Sequence, residues 1–216
     1  MHYKKIAVEG GQKFSNIEGN QYMSGGDDAL KILFRIISDF KIKKVLEVGL
    51  GICSILDTIL RRSKGNNVSI SYFGTEENDF CLKALPQNVV DYNRIALHKT
   101  ISDIPKPERF NFIIIDGSND ALNNVKELLN SNAIMFIEGG RQSQIDIIKQ
   151  IYPKALVVEF VSISRPPSYV PFHQKWTGSG SLIFCEPTAS QKLYWFKEKV
   201  QSYFEQRIRK YFSRYI

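Results

Sequence analysis

The sequence predicts an α/β chain built on a doubly wound sheet, and three observations carry that prediction. Short apolar runs alternate with stretches of helical periodicity from Lys44 to Cys185, which argues for parallel strands covered by helices on both faces. One of these runs, Lys44-Val45-Leu46-Glu47-Val48-Gly49-Leu50-Gly51, ends in an acid and two glycines. A helix follows from Ser54, with Ile55, Leu56, Ile59 and Leu60 on one apolar face. The length of 216 residues suits one domain with a full core.

Taken in order, residues 1–28 set Gly10-Gly11 and Gly25-Gly26 among polar groups and read as a flexible, loosely held leader. Asp27 or Asp28 can N-cap a helix reaching roughly Ser38, with Leu30, Leu33, Phe34 and Ile37 facing inward. Strands are expected over 44–48, 69–74, 94–98, 110–115, 133–137, 155–161 and 181–185. Helices are expected over 54–63, 78–84, 120–130 and 141–151, with Gly65 ending the first. The connection from Ser162 to Gly180 contains Pro166-Pro167, Pro171 and Gly178-Ser179-Gly180 and should not be helical. Structureless connections of that length are usually functional. In the final segment Leu193, Phe196, Val200, Phe204, Ile208, Tyr211 and Tyr215 recur at helical spacing with cations between them. The chain thus divides into a leader 1–28, a domain 29–188 and a basic amphipathic helix 189–216.

Composition is ordinary, 43% hydrophobic and 24% charged. Cys53, Cys81 and Cys185 are far apart and odd in number. They form neither a disulfide framework nor a metal knuckle and read as reduced thiols of a cytoplasmic protein. Met1-His2-Tyr3-Lys4-Lys5 is not followed by the apolar stretch of a secretory signal, and no run approaches a membrane span. The net charge of +7 is uneven: from Lys192 onward seven cations face two acids, so five of those charges belong to the tail. A near-neutral body without an aromatic–basic RNA signature predicts no nucleic-acid partner.

Ligands of open α/β sheets bind outside the carboxyl ends of the strands, so the residues standing there matter most. Glycines at a strand-to-helix turn let a ligand approach the backbone, beside helix N–H groups without internal partners. A dinucleotide would rest its pyrophosphate there, but the Glu47 carboxylate would repel it. A cofactor carrying a sulfonium and an ammonium, as S-adenosylmethionine (SAM) does, suits that acid instead. A third glycine is missing, with Cys53 and Ser54 at the positions it would take. Glu76 follows the second strand and can accept both hydroxyls of a ribose. Ser102-Asp103 follow the third, placed to meet an adenine amino group. Asp116-Gly117 end the fourth and Glu138-Gly139-Gly140-Arg141 the fifth, so five successive strands end in Glu, Glu, Asp, Asp and Glu.

With these residues in view, positions 27–186 resemble the class I SAM-dependent methyltransferases. Val45 to Gly51 looks like that family's first motif, Gly74-Thr75-Glu76 like its ribose-binding second, and Phe110 to Gly117 like its fourth. The last has the Ile-Asp-Gly form of small-molecule O-methyltransferase-like members. The resemblance implies a Rossmann-like, seven-stranded, mostly parallel sheet whose last strand, 181–185, is antiparallel, with the Ser162–Gly180 connection on the catalytic face. It implies SAM as cofactor, held by Glu47, Gly49, Gly51, Glu76, Ser102, Asp103 and Asp116. Cys53 replaces a usual glycine, and Asn119 stands where many relatives carry a histidine.

A hydroxyl acceptor needs a proton acceptor. Asp116 is the first candidate, its alternative being to cap a helix beginning near Asp120; His173, among Arg165, Tyr169, Phe172, Lys175 and Trp176, is the second. Those aromatic and cationic neighbours suit a planar, sugar or anionic acceptor. Asp116 with Glu138 could hold Mg²⁺, but Gly139 stands where metal-dependent relatives carry an amide, so no metal is expected. No Asn-Pro-Pro-Tyr stretch of base-methylating relatives follows the fourth strand. The expected function is methyl transfer to a small-molecule or glycan hydroxyl. The alternatives are a binding or scaffold protein that has lost turnover, and an NAD-dependent oxidoreductase. The tail would lie on an anionic membrane, making the protein peripheral to the inner face, or pack on the domain or a dimer partner.

Overall fold

A computed structural model describes residues 2–65, 68–122, 124–162 and 178–212. Its centre is a seven-stranded sheet of β1 (Lys44–Val48), β2 (Ser71–Thr75), β3 (Ile95–His98), β4 (Phe110–Ile115), β5 (Leu129–Ile137), β6 (Leu156–Val161) and β7 (Gly178–Phe184). The strands lie in the order β3-β2-β1-β4-β5-β7-β6. Strands β1 to β5 pair in parallel, and β7 runs antiparallel to both β5 and β6. The expected antiparallel last strand is therefore present. The order reverses between β1 and β4, which is the switch point where such sheets bind ligands.

Strand alternation splits the apolar residues into two layers. Val45, Tyr72, Phe112, Ile114, Phe136 and Phe184 pack against helices α2 (Asp27–Asp39) and α3 (Ser54–Gly65), with Leu85 of α4 (Asp79–Asn88) in the same layer. Leu46, Val48, Ile113, Ile115, Met135 and Ile137 pack against Ile145 and Ile148 of helix α5 (Gln142–Ile151). Phe110, Ile113, Ile114 and Ile115 have no exposure at all, so β4 is buried on both faces, as a central parallel strand should be.

Three sequence expectations are corrected or refined. The leader is not loose: His2–Ser15 forms helix α1, in which Ala7 and Phe14 are fully buried. Gly10 is there for close approach, since a Cβ on it would lie 2.4 Å from Thr58 Oγ1 of α3. Lys13 Nζ donates to Asp57 at 2.9 Å and to the Asn88 carbonyl at 2.5 Å. The helix expected over 120–130 is replaced by 3₁₀ turns at Asn119–Leu122 and Val125–Leu128, after which β5 begins at Leu129. Leu122, Val125 and Leu128 are all buried; their spacing of three fits a helix with three residues per turn. The Ser162–Gly180 connection, with His173, Arg165, Tyr169, Phe172, Lys175 and Trp176, falls for the most part outside the described residues, but Gly178–Gly180 already belong to β7.

The C-terminal helix α6 (Ala189–Phe212) lies along β6, the edge of the sheet. Trp195 Nε1 donates to the Val157 carbonyl at 2.9 Å, and the Ser202 hydroxyl to that of Glu159. Two edge carbonyls are thereby capped, which blunts a strand edge that could otherwise template aggregation.

Candidate functional site

The glycine turn after β1 takes the shape its residues allow. Gly49 has φ +83° and Gly51 φ +52°, left-handed values that favour glycine. A Cβ on Gly49 would press on the Asp116–Gly117 peptide at 3.1 Å, and one on Gly51 would strike the Tyr22 carbonyl at 2.2 Å. Both glycines are thus needed by neighbouring backbone before any ligand is considered. Cys53 follows at φ +73°, strained for a residue with a side chain. Residues before α2 drape over this turn: Ile52 N–H donates to the Tyr22 carbonyl at 3.3 Å, and Ser24 N–H to Ser54 Oγ at 3.0 Å.

Four carboxylates converge below it. Glu47 is fully buried, and its Oε2 accepts from the Tyr72 hydroxyl, while Oε1 has no partner among the described residues. Burial drives its pKa well up; the Tyr72 hydrogen bond offsets this in part, and the charges of Asp116 and Glu76 raise it further. Glu76 clasps the first two strand-end loops together. Its Oε2 accepts from Gly51 N–H at 2.7 Å, and its Oε1 from Glu77 and Asn78 N–H at 2.9 and 2.8 Å. Asp116 bonds the Arg141 guanidinium, whose other arm donates to the Gly117 carbonyl at 2.8 Å. Burial raises the Asp116 pKa against the lowering effect of Ser24 and Arg141. Glu138 is pushed up to about 7, by burial first and then by the Asp116 charge, with Arg141 and the Gly25 N–H working the other way. Arg141 Nη2 lies 4.0 Å from Glu138 Oε2, so one guanidinium faces both acids.

Beside the acids opens a cleft of about 500 Å³, within the range of small-molecule sites. Gly49, Glu76, Lys99, Ser102, Gly117 and Asn124 are among its walls. Of the expected residues the structure therefore brings Gly49, Glu76 and Ser102 to one cleft. Glu47, Gly51 and Asp116 stand behind or beside that wall. Asp103 does not line it: its Oδ2 accepts from Thr100 N–H at 2.8 Å and Thr100 Oγ1 at 2.9 Å, capping the 3₁₀ turn Ile101–Asp103. Among the described residues the Asp116 carboxylate is held by Arg141 and Ser24. Among the described residues no group of three or more His, Cys, Asp or Glu could hold a metal ion. His173 lies outside the described residues.

Sequence reasoning assigned no role to Tyr72, Ser24 or Arg141. Tyr72 had a signal. It stands two residues before Gly74, which pairs with Glu47 in register, so the two side chains share a face. Arg141 offered only the look of a helix start.

No protein-family profile matches the chain, and no curated protein matches it. Solved structures do. An O-methyltransferase from Bacillus cereus in complex with S-adenosylhomocysteine (SAH) superposes with a TM-score of 0.56 at 13% identity, over 83% of this chain and 89% of that one. A proposed RNA methyltransferase from Pyrococcus horikoshii gives 0.55 at 14%, over 85% and 97%. The ribosomal protein L11 methylase of Lactobacillus delbrueckii subsp. bulgaricus gives 0.51 at 17%, over 76% and 81%. The chain has the fold of the class I SAM-dependent methyltransferases. These neighbours act on different acceptors, and at such identities they share an architecture with this chain and no more.

Proposed function

We propose that the protein is a methyltransferase that uses SAM to methylate a hydroxyl of a small molecule or glycan. The observation that carries the reading is the buried Glu47 carboxyl, one oxygen unpartnered among the described residues, close to Glu76, Asp116 and Glu138 at the first strand–helix turn. Burial and the neighbouring acids hold Glu47 toward its neutral form; a cation beside it would favour the carboxylate, whereas a phosphate would oppose it. In this assignment Glu47 and the Gly49–Gly51 turn hold the cationic end and Glu76 the ribose. Ser102 takes the adenine end, with Asp103 holding that turn in shape. SAM supplies a methyl group on a positively charged sulfur, and its transfer is a displacement that depends on alignment. Asp116 accepts the proton of the acceptor hydroxyl on its carboxylate, which Arg141 holds in position; His173 is a second candidate for that proton.

The test has two stages. Thermal shift should separate SAM and SAH from NAD and NADP, because a ligand at 100 times its Kd stabilises by ~2.7 kcal/mol. No shift with SAM or SAH, or a shift with NAD alone, refutes the cofactor. Turnover of SAM with hydroxyl acceptors should then disappear in Asp116→Asn while the SAM-induced shift persists. Methylation of RNA or protein alone would refute the acceptor and keep the cofactor.

A further inference from the structure

Helix α6 presents two faces with different chemistry. The face toward the sheet is anchored: Tyr194 and Trp195 pack against the core, Gln191, Trp195 and Ser202 bond the carbonyls of Asn132, Val157 and Glu159, and Glu198 pairs with Arg35 at 2.6 Å. The opposite face is apolar and open to solvent, with Leu193 73%, Phe196 61%, Val200 42%, Phe204 58% and Ile208 42% exposed. At about 100° per residue these five form one stripe along the helix. Lys197 and Arg207 fall within that stripe, and Lys192 and Lys199 along one flank. Arg207 sits over the Tyr203 ring at 5.0 Å. The two acids of the helix are on other faces, Glu198 toward Arg35 and Glu205 beside Gln201.

The helix also points somewhere useful. Because β7 is antiparallel to both β5 and β6, β6 runs with the parallel strands. Trp195 meets Val157 and Ser202 meets Glu159, so α6 advances in the same sense as β6. From Ser202 to Phe212 the helix climbs about 15 Å, whereas β6 has only about 7 Å left beyond Glu159. Its last turns pass the sheet edge on the side that carries the carboxylates.

We propose that this face of α6 lies on an anionic phospholipid surface, the aromatic and aliphatic stripe entering the headgroup layer and the cations meeting lipid phosphates. Charge and apolar area act together at such a surface. No described helix is long and apolar enough to cross a membrane, so the contact is one of lying on it. A second copy fits worse: an antiparallel twofold pairing about Ser202 sets Lys197 against Arg207 and buries both without an acid. RNA would use the cations but leave Leu193, Val200 and Ile208 with nothing to bury against. The proposal is independent of the cofactor reading.

The experiment is flotation of the full chain with phosphatidylcholine vesicles and with vesicles containing one-third phosphatidylglycerol. Binding is expected only to the anionic vesicles, weakening as salt rises. Lys197→Gln with Arg207→Gln should lower partition about thirty-fold, two cations at ~1 kcal/mol each. Phe196→Ser with Phe204→Ser should abolish it, with unchanged thermal melts because these side chains are exposed. Equal binding to both vesicle types, or none, overturns the proposal. So does a dimer in light scattering that the Phe pair dissociates, or retention on poly(U) without vesicle binding.

Discussion

Glu138 offers the sharpest test of how the carboxylate cluster behaves. Moving a carboxyl from its ordinary 4.5 to about 7 is worth about 3 kcal/mol in full. The sign follows from which state binds the proton. A raised pKa in the folded chain means that folding takes up a proton, so the contribution is intact below about pH 4.5 and is lost as pH rises through 7. Roughly 2.5 kcal/mol of it falls between pH 5 and pH 8. Glu138→Gln keeps an oxygen for the Gly25 N–H and removes the titration. Urea unfolding of both proteins at several pH values should show the variant gaining on the wild type as pH rises, with most of the gain above pH 5. Since Asp116 is the second cause of the shift, Asp116→Asn should also flatten the profile in part. A stability difference between wild type and Glu138→Gln that stays constant within ~0.5 kcal/mol from pH 5 to pH 8 would refute the electrostatic account.

Two further outcomes probe other parts of the argument. Tyr72→Phe removes the hydrogen bond to the buried Glu47 carboxylate and should cost about 1–3 kcal/mol, read as a drop in Tm. Because that hydrogen bond lowers the Glu47 pKa against burial, the drop should grow with rising pH as the acid ionises, and a drop that shrinks as pH rises would count against a buried acid there. Phe14→Ala empties a fully buried site in α1 and should cost about 3–5 kcal/mol; an unchanged Tm would return residues 2–15 to the status of a loose leader.

What the sequence revealed and what it hid divide along range of interaction. The strands were legible because each is an apolar run with its own turn signals, and β1, β4 and α5 fall within a residue or so of expectation. Helix α1 was not, because its anchors are few and Gly10-Gly11 looks like a breaker until Thr58 is seen pressed against Gly10. The region after β4 misled for a different reason: a three-residue repeat of buried side chains satisfies a 3.6 periodicity over so short a span. In the site, the acids announce themselves one by one at strand ends. Their partners do not, since Tyr72–Glu47 and Arg141–Asp116 are each separated by 25 residues and are brought together by the pairing of β1 with β2 and of β4 with β5.

Arg141 links the two halves of this picture. Without it Asp116 and Glu138 would be two buried acids facing each other, each driving the other toward the neutral form, as burial and like charge both do. Its guanidinium works against that burial, pulling both pKa values down. Among the described residues Glu47 has no such cation: one oxygen takes the Tyr72 hydroxyl and the other has no partner. Among the described residues the cluster is therefore unevenly compensated, with a cation on the Asp116 side and none beside Glu47, and the proposed reading seats a ligand's positive charge there. The proposed function uses that asymmetry: a proton acceptor beside Arg141 and a cation seat at Glu47 are the two roles that a sulfonium methyl donor and a hydroxyl acceptor would require.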